Sequence, residues 1–170
     1  YDPKYILTLL NSNLINWYYS SKFTNASKLT VNVSKAYLSQ IPIKPISINE
    51  QKPLIDNANN ILNLKGDKTE IIRKFKDRIS QNLELKKFTK KLVNFHELIF
   101  EEFFEELKKQ NITLTLKQQE EWEEYFIDKK NIILKNIEKT NQLELDINSI
   151  IYKLYCLNQD EIKIVESEIE

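Results

Sequence analysis

The stretch "IIYKLYCLNQDEIKIVE", residues 150–166, decides how this chain must be built. Ile150, Ile151, Leu154 and Leu157 recur at helical spacing and continue a stripe begun by Leu143 and Ile147. Asn158, with Glu161 three residues on, has the signature of a new helix start, one that would bury Ile162 and Val165. Two helices therefore meet across a junction only a few residues long, with Cys156 inside it. Such a junction takes either a left-handed residue, a conformation that cysteine suits poorly, or a tighter helical turn.

The same helical grammar extends backwards. One glycine and four prolines among 170 residues argue against a turn-rich β fold and for long helices. Ile71, Ile72, Phe75 and Ile79 share a face. So do Leu92, Phe95, Leu98, Ile99, Phe103 and Leu107, and then Trp122, Phe126, Ile133 and Ile137. Before them, Ser47 and Glu50 have capping-box spacing. Pro53 suits a first helical turn, and Gly66 is placed to end a helix over 53–65.

The first fifty residues are more varied. Ile6, Leu9, Leu10, Leu14, Trp17 and Tyr18 follow helical spacing between Tyr5 and Tyr19. "KLTVNV" alternates Leu29, Val31 and Val33 as a half-buried strand would. "IPIKPISI" places Pro42 and Pro45 in an extended stretch that can pair only at a sheet edge. The expected fold class is mainly α: a small mixed α/β N-terminal part, residues 1–66, followed by a helical bundle-like region, residues 67–170.

Little in the chain supports catalysis. One glycine excludes a phosphate-cradling loop or a dinucleotide fingerprint. His96 is the only histidine, which leaves no metal cluster and fits a core or boundary position. The acidic pairs Glu101–Glu102, Glu105–Glu106, Glu120–Glu121 and Glu123–Glu124 lie beside lysines, as on solvated helix faces. Cys156 alone forms no intramolecular disulfide and suits a reducing, cytoplasmic setting; no apolar run approaches the length of a membrane span. The chain contains no methionine and opens on a helical pattern, so it is expected to be part of a longer polypeptide.

Charge is balanced overall but uneven along the chain. Residues 1–99 carry 16 Lys+Arg against 8 Asp+Glu, and the remainder 9 against 17. A basic first half permits a polyanion partner. The polar, aromatic stretch "YYSSKFTNASKLTVNVSKAYL" supplies the candidates. Lys22, Lys28 and Lys35 would contact phosphates, while Ser20, Ser21, Thr24, Asn25 and Ser27 would bond a phosphate or a base edge. The run Arg73, Lys74, Lys76, Arg78, Lys86, Lys87, Lys90 and Lys91 is a second basic tract that would either track a backbone or form the wet side of a helix pair.

The order of segments carries a resemblance. Leu10-Asn11-Ser12, Ile41-Pro42-Ile43 and Glu50-Gln51 resemble successive elements of target recognition domains, specifically the TaqI-like C-terminal specificity domain and its cousins in type I specificity subunits. "KKLVNFHEL", "EEFFEEL" and "EEWEEYF" are similar to the C-terminal region of combined restriction endonuclease/adenine-N6 methyltransferases of type IIG. So is the ending Tyr152, Leu154, Tyr155, Cys156, Leu157, Glu161, Ile162, Val165 and Glu166. Cys156 stands where that pattern usually has glycine.

The resemblance implies a non-catalytic portion that helps choose the DNA sequence. It would serve a parent that methylates adenine N6 with S-adenosylmethionine and, where it also cuts, uses magnesium. Double-stranded DNA would be the partner of the N-terminal basic half, alongside the catalytic domains of the same polypeptide or complex. The competing expectation is a helical scaffold that docks those catalytic domains or a partner subunit without touching DNA.

Overall fold

The structure, a computed structural model, describes residues 1–23, 34–85 and 87–168. Among these residues helices are the only regular elements apart from one short 3-10 turn. They are α1 (Pro3–Leu10), α2 (Asn13–Phe23), α3 (Lys35–Leu38), α4 (Ile48–Leu83), α5 (Lys90–Val93), α6 (Phe100–Lys108), α7 (Leu116–Leu154) and α8 (Gln159–Ser167). The chain divides into two compact units. One comprises Tyr1–Ile61 with Asn141–Glu170, the other Leu62–Thr140. Both α4, 36 residues long, and α7, 39 residues long, contribute to each unit.

The helix ends follow the side-chain signals. Ser47 and Glu50 form a capping box at the start of α4: Ser47 N–H donates to Glu50 Oε2 (2.8 Å) and Glu50 N–H to Ser47 Oγ (3.3 Å). Thr115 and Gln118 repeat the arrangement before α7, and Asn158 and Glu161 before α8. At the C-terminus of α7 the Leu157 N–H donates to Tyr152 O (3.0 Å) and the Cys156 N–H to Lys153 O (3.1 Å), a Schellman pair. Cys156 sits at φ 59°, so of the two geometries open to this junction it has the left-handed one. Asn111, at φ 61°, closes α6 in the same way.

Each unit has its own core. In the first, Tyr5, Leu9 and Ile15 pack with Leu54, Ile151 and Val165. In the second, Phe75 is the hub: its ring stacks on Phe95 (3.7 Å between centroids) and on Tyr125 (5.6 Å), with Phe103, Trp122 and Phe126 around it. His96 is buried beside Phe95, as a core histidine. Burial, then the positive charge of Lys68, lowers its pKa, so the ring is neutral at pH 7.

Two expectations are corrected. The small mixed α/β part within residues 1–66 is not seen: no strand occurs among the described residues, and Leu29, Val31 and Val33 lie outside them. Residues 42–47 form no regular element and pair with no strand among the described residues. Pro42 and Pro45 have no N–H to give a ladder, and the polar groups of Pro42 and Lys44 are taken by tyrosine side chains. The second correction concerns Gly66, which ends nothing. It lies inside α4 on an exposed face, without positive φ, because apolar positions continue through Ile71, Phe75 and Ile79 and outweigh one glycine. Pro53 likewise lies inside α4, in its second turn, with its ring exposed.

These backbones make opposite demands on the same residue type. A Cβ added at Gly66 meets nothing within 4 Å. Gly66→Ala is therefore expected to raise unfolding free energy by about 1 kcal/mol, read as a higher urea midpoint. Cys156→Gly is expected to add about 1 kcal/mol by relieving the left-handed penalty, whereas Cys156→Ala should leave the midpoint nearly unchanged.

Candidate nucleic-acid interface

The candidate residues stand on a joint built from the chain's most distinctive short motif. After α1, Ser12 is almost wholly buried; its Oγ donates to Leu9 O (2.7 Å) and accepts from the Ile15 N–H (3.3 Å), capping α2. The Asn13 N–H, another orphan of that helix start, is taken by Asn148 Oδ1 (2.9 Å) from α7. Leu10-Asn11-Ser12 is thus a helix–helix joint in which Ser12 Oγ and the Asn11 amide are both hydrogen-bonded.

From this joint α2 runs to an aromatic end. Tyr19 and Phe23, four residues apart, approach to 5.2 Å between centroids, and Phe23 stacks on Tyr37 of α3 at 4.8 Å and 19°. That stack joins the end of α2 to α3 across the intervening segment. Lys22 is exposed; its Nζ donates to Tyr18 Oη (2.7 Å) and lies over the rings of Tyr18 (5.1 Å) and Phe23 (5.5 Å). Lys35 is the exposed first residue of α3, behind the Ser34 cap. Ser20 and Ser21 are exposed on the last turns of α2. Thr24, Asn25, Ser27 and Lys28 lie outside the described residues.

Ser20, Ser21, Lys22 and Lys35 are therefore carried on two helix ends tied by one aromatic stack. Tyr18 and Tyr37 join them, and neither was singled out from sequence. The signal was available: Tyr18–Lys22 and Tyr19–Phe23 both have the i,i+4 spacing of helical neighbours. Chemically, cations held on aromatic faces beside hydroxyls can neutralise phosphate and stack against a base or sugar.

The second basic tract is less available than its composition suggests. Arg73 is held by Glu70 and Asp77 at 2.7 Å each, and Lys74 approaches Glu70 at 3.4 Å. Folding also dissolves the charge asymmetry along the chain. The unit that contains the N-terminus carries 8 Lys+Arg against 10 Asp+Glu, and Leu62–Thr140 carries 17 against 15. The acidic tail returns to the basic N-terminal segment, so any DNA contact there depends on local placement of cations and not on a broad positive field.

Beneath this surface lies a clasp. Tyr155 Oη donates to Pro42 O (2.6 Å) and accepts from the Lys44 N–H (3.2 Å), while Tyr5 Oη donates to Lys44 O (2.6 Å). Lys44 Nζ donates to Leu154 O at the end of α7. Gln51, nearly buried, accepts from the Asp2 N–H (3.0 Å) and donates to Ile46 O (3.1 Å). The three N-terminal motifs, Leu10-Asn11-Ser12, Ile41-Pro42-Ile43 and Glu50-Gln51, are engaged in capping or clamping.

Residues 47–151 match the family model described as "Domain of unknown function (DUF8810)". The chain belongs to that family. Residues 1–43 are similar to the TaqI-like C-terminal specificity domain, which supports a role in DNA sequence recognition within a restriction–modification enzyme. No curated protein and no solved structure matches the chain. The two matched segments leave only residues 44–46 between them, within the stretch that Tyr5, Tyr155 and Gln51 hold. The family segment begins at the Ser47 cap of α4 and ends at Ile151, inside α7. Among the described residues no helix is long and apolar enough to cross a membrane, and no group of three or more metal-ligating side chains occurs.

The clasp has a pH signature. Burial, then the neighbouring Tyr155 and Tyr1, pushes the Tyr5 hydroxyl up to about 12. The folded state holds this proton more tightly than an unfolded chain, in which tyrosine titrates near 10. The associated stability is whole below about pH 10 and is lost as pH rises towards 12. Denaturant midpoints measured across that window should fall less steeply for Tyr5→Phe than for the parent chain.

Proposed function

We propose that this chain is the non-catalytic sequence-specificity portion of a restriction–modification enzyme of the type IIG class, related to type I specificity subunits. It would help direct adenine-N6 methylation, and cleavage where the parent cuts, to a target DNA. The observation that carries this reading is the similarity of residues 1–43 to a specificity domain. Within that segment the structure joins the exposed Lys22 and Lys35 through the Phe23–Tyr37 stack. In this reading Lys22, Lys28 and Lys35 neutralise phosphates, and Ser20, Ser21, Thr24, Asn25 and Ser27 supply hydrogen bonds to phosphates and base edges. S-adenosylmethionine, and magnesium for cleavage, would be held by catalytic domains of the same polypeptide or complex.

The scaffold reading applies to a different part of the molecule. Leu62–Thr140 closes a core of its own and lies wholly within the family segment 47–151, outside the specificity match. A division of labour follows: DNA contact from residues 1–43, docking from the family segment.

Lys22→Ala, Lys28→Ala and Lys35→Ala combined in the full-length enzyme should weaken binding to its target duplex. They should also reduce the slope of log affinity against log salt by about 2 to 3. A filter-binding or anisotropy titration that shows the parent's affinity and salt slope in the triple variant would overturn the site assignment.

A further inference from the structure

The acidic pairs that lie on helix faces in the second unit frame an apolar groove. On α6, Phe100, Phe104 and Lys108 follow one another at intervals of four, with Glu101 and Glu105 beside them. On α7, Leu116, Glu120, Glu123 and Ile127 fall at intervals of four, three and four, a single helical stripe. The two stripes face each other across a groove of about 360 Å³ lined by Phe100, Phe104 and Leu116 and rimmed by Glu101, Glu105, Glu120 and Glu123. A second depression of about 490 Å³ continues it along Glu120, Glu123, Glu124 and Ile127.

Two features show that this face is unfinished. Leu116, 74% exposed, and Ile127, 45% exposed, open to solvent along the same depressions that Glu120 and Glu123 line, so their apolar surface is grouped in one place. Glu101, Glu120, Glu123 and Glu124 have no hydrogen bond or ion pair among the described residues. Glu120 and Glu124 are like charges at i,i+4, an arrangement that works against the helix carrying it. Lys108 shows what answers such a surface: its Nζ lies 4.4 Å over the Phe104 ring and 2.7 Å from Glu105 Oε1. One chain cation meets ring and carboxylate together at one end of the groove, and the remaining carboxylates have none.

We propose that this groove docks a basic amphipathic helix of a protein partner. The partner's apolar residues, at i, i+3 or i+4 and i+7, fill the floor between Phe100, Phe104 and Leu116. Lysines or arginines on its flanks meet Glu101 on one side and Glu120 and Glu123 on the other. The same carboxylates repel nucleic acid, so this surface is distinct in chemistry from the Lys22–Lys35 face and does not depend on that face binding DNA.

The test is a calorimetric titration of the full chain with three synthetic 18-residue helical peptides. One has leucines along one face and lysines on the other, the second replaces lysine by glutamate, and the third replaces leucine by alanine. The leucine/lysine peptide is expected to saturate at one site, and the other two to bind at least tenfold more weakly. Glu120→Lys with Glu123→Lys should cost at least tenfold, and Leu116→Ser, a change at an exposed side chain, at least fivefold. Glu138→Lys with Asp146→Lys makes the same charge change elsewhere on α7 and should leave affinity unaltered. Equal binding of the alanine/lysine peptide, or no loss in the groove variants, overturns the proposal. So does sedimentation showing that the chain alone dimerises through this groove and becomes monomeric with Glu120→Lys and Glu123→Lys, because the occupant is then a second copy.

Discussion

A segment outside any regular element must still find partners for its peptide groups, and residues 42–47 have no sheet to supply them. Tyr155 answers with one hydroxyl used twice, as donor to Pro42 O and as acceptor from the Lys44 N–H; Tyr5 takes Lys44 O from the other side. Lys44 in turn closes the end of α7 through Leu154 O. These bonds connect residues about forty and more than a hundred positions apart, so α1, the proline segment and α7 close together or not at all. The capping of α2 by Asn148 belongs to the same closure. The surface that carries Lys22 and Lys35 rests on this framework, because α2 is aimed by its capped start and α3 by the stack on Phe23.

This changes the meaning of the N-terminal motifs that resemble a specificity domain. Leu10-Asn11-Ser12 is a helix joint, Ile41-Pro42-Ile43 leads into the clasped segment, and Glu50-Gln51 caps α4 and ties Asp2 to Ile46. They identify the scaffold because the scaffold needs those residue types in those places. Ser20, Ser21, Lys22 and Lys35, the described candidates for DNA contact, are exposed between those motifs.

Much of the local structure was legible because it is governed by neighbours in sequence. Ser47–Glu50 and Asn158–Glu161 are capping boxes as their spacing says, and the stripes Ile71–Ile79, Trp122–Ile137 and Leu143–Leu154 lie on α4 and α7, whereas the stripe Leu92–Leu107 is broken between α5 and α6 by a 3-10 turn. What failed was decided at long range. "IPIKPISI" has the composition of an edge strand, and nothing within ten residues of it reveals that tyrosines from α1 and from beyond α7 satisfy its backbone. Gly66 looks like a stop signal in isolation, but stripes on both sides hold it inside one long helix. The candidate site was legible in part: the sequence pointed to the end of α2 and to Lys35, but missed the tyrosines that support them. The charge split was visible and misleading, since it takes the fold to show that the acidic tail returns to the basic head.

The order in which the two units close up along the chain bears on synthesis. Leu62–Thr140 is continuous, and all its core residues are synthesised before residues 141–170. Tyr1–Ile61 cannot complete its core until Ile147, Ile151, Tyr155 and Val165 arrive. During that interval α1 and α2 expose apolar faces whose partners do not yet exist. The segment similar to a specificity domain is thus translated before the second unit and completed after it, and the tyrosine clasp serves as the completion step for the part of the protein that would meet DNA.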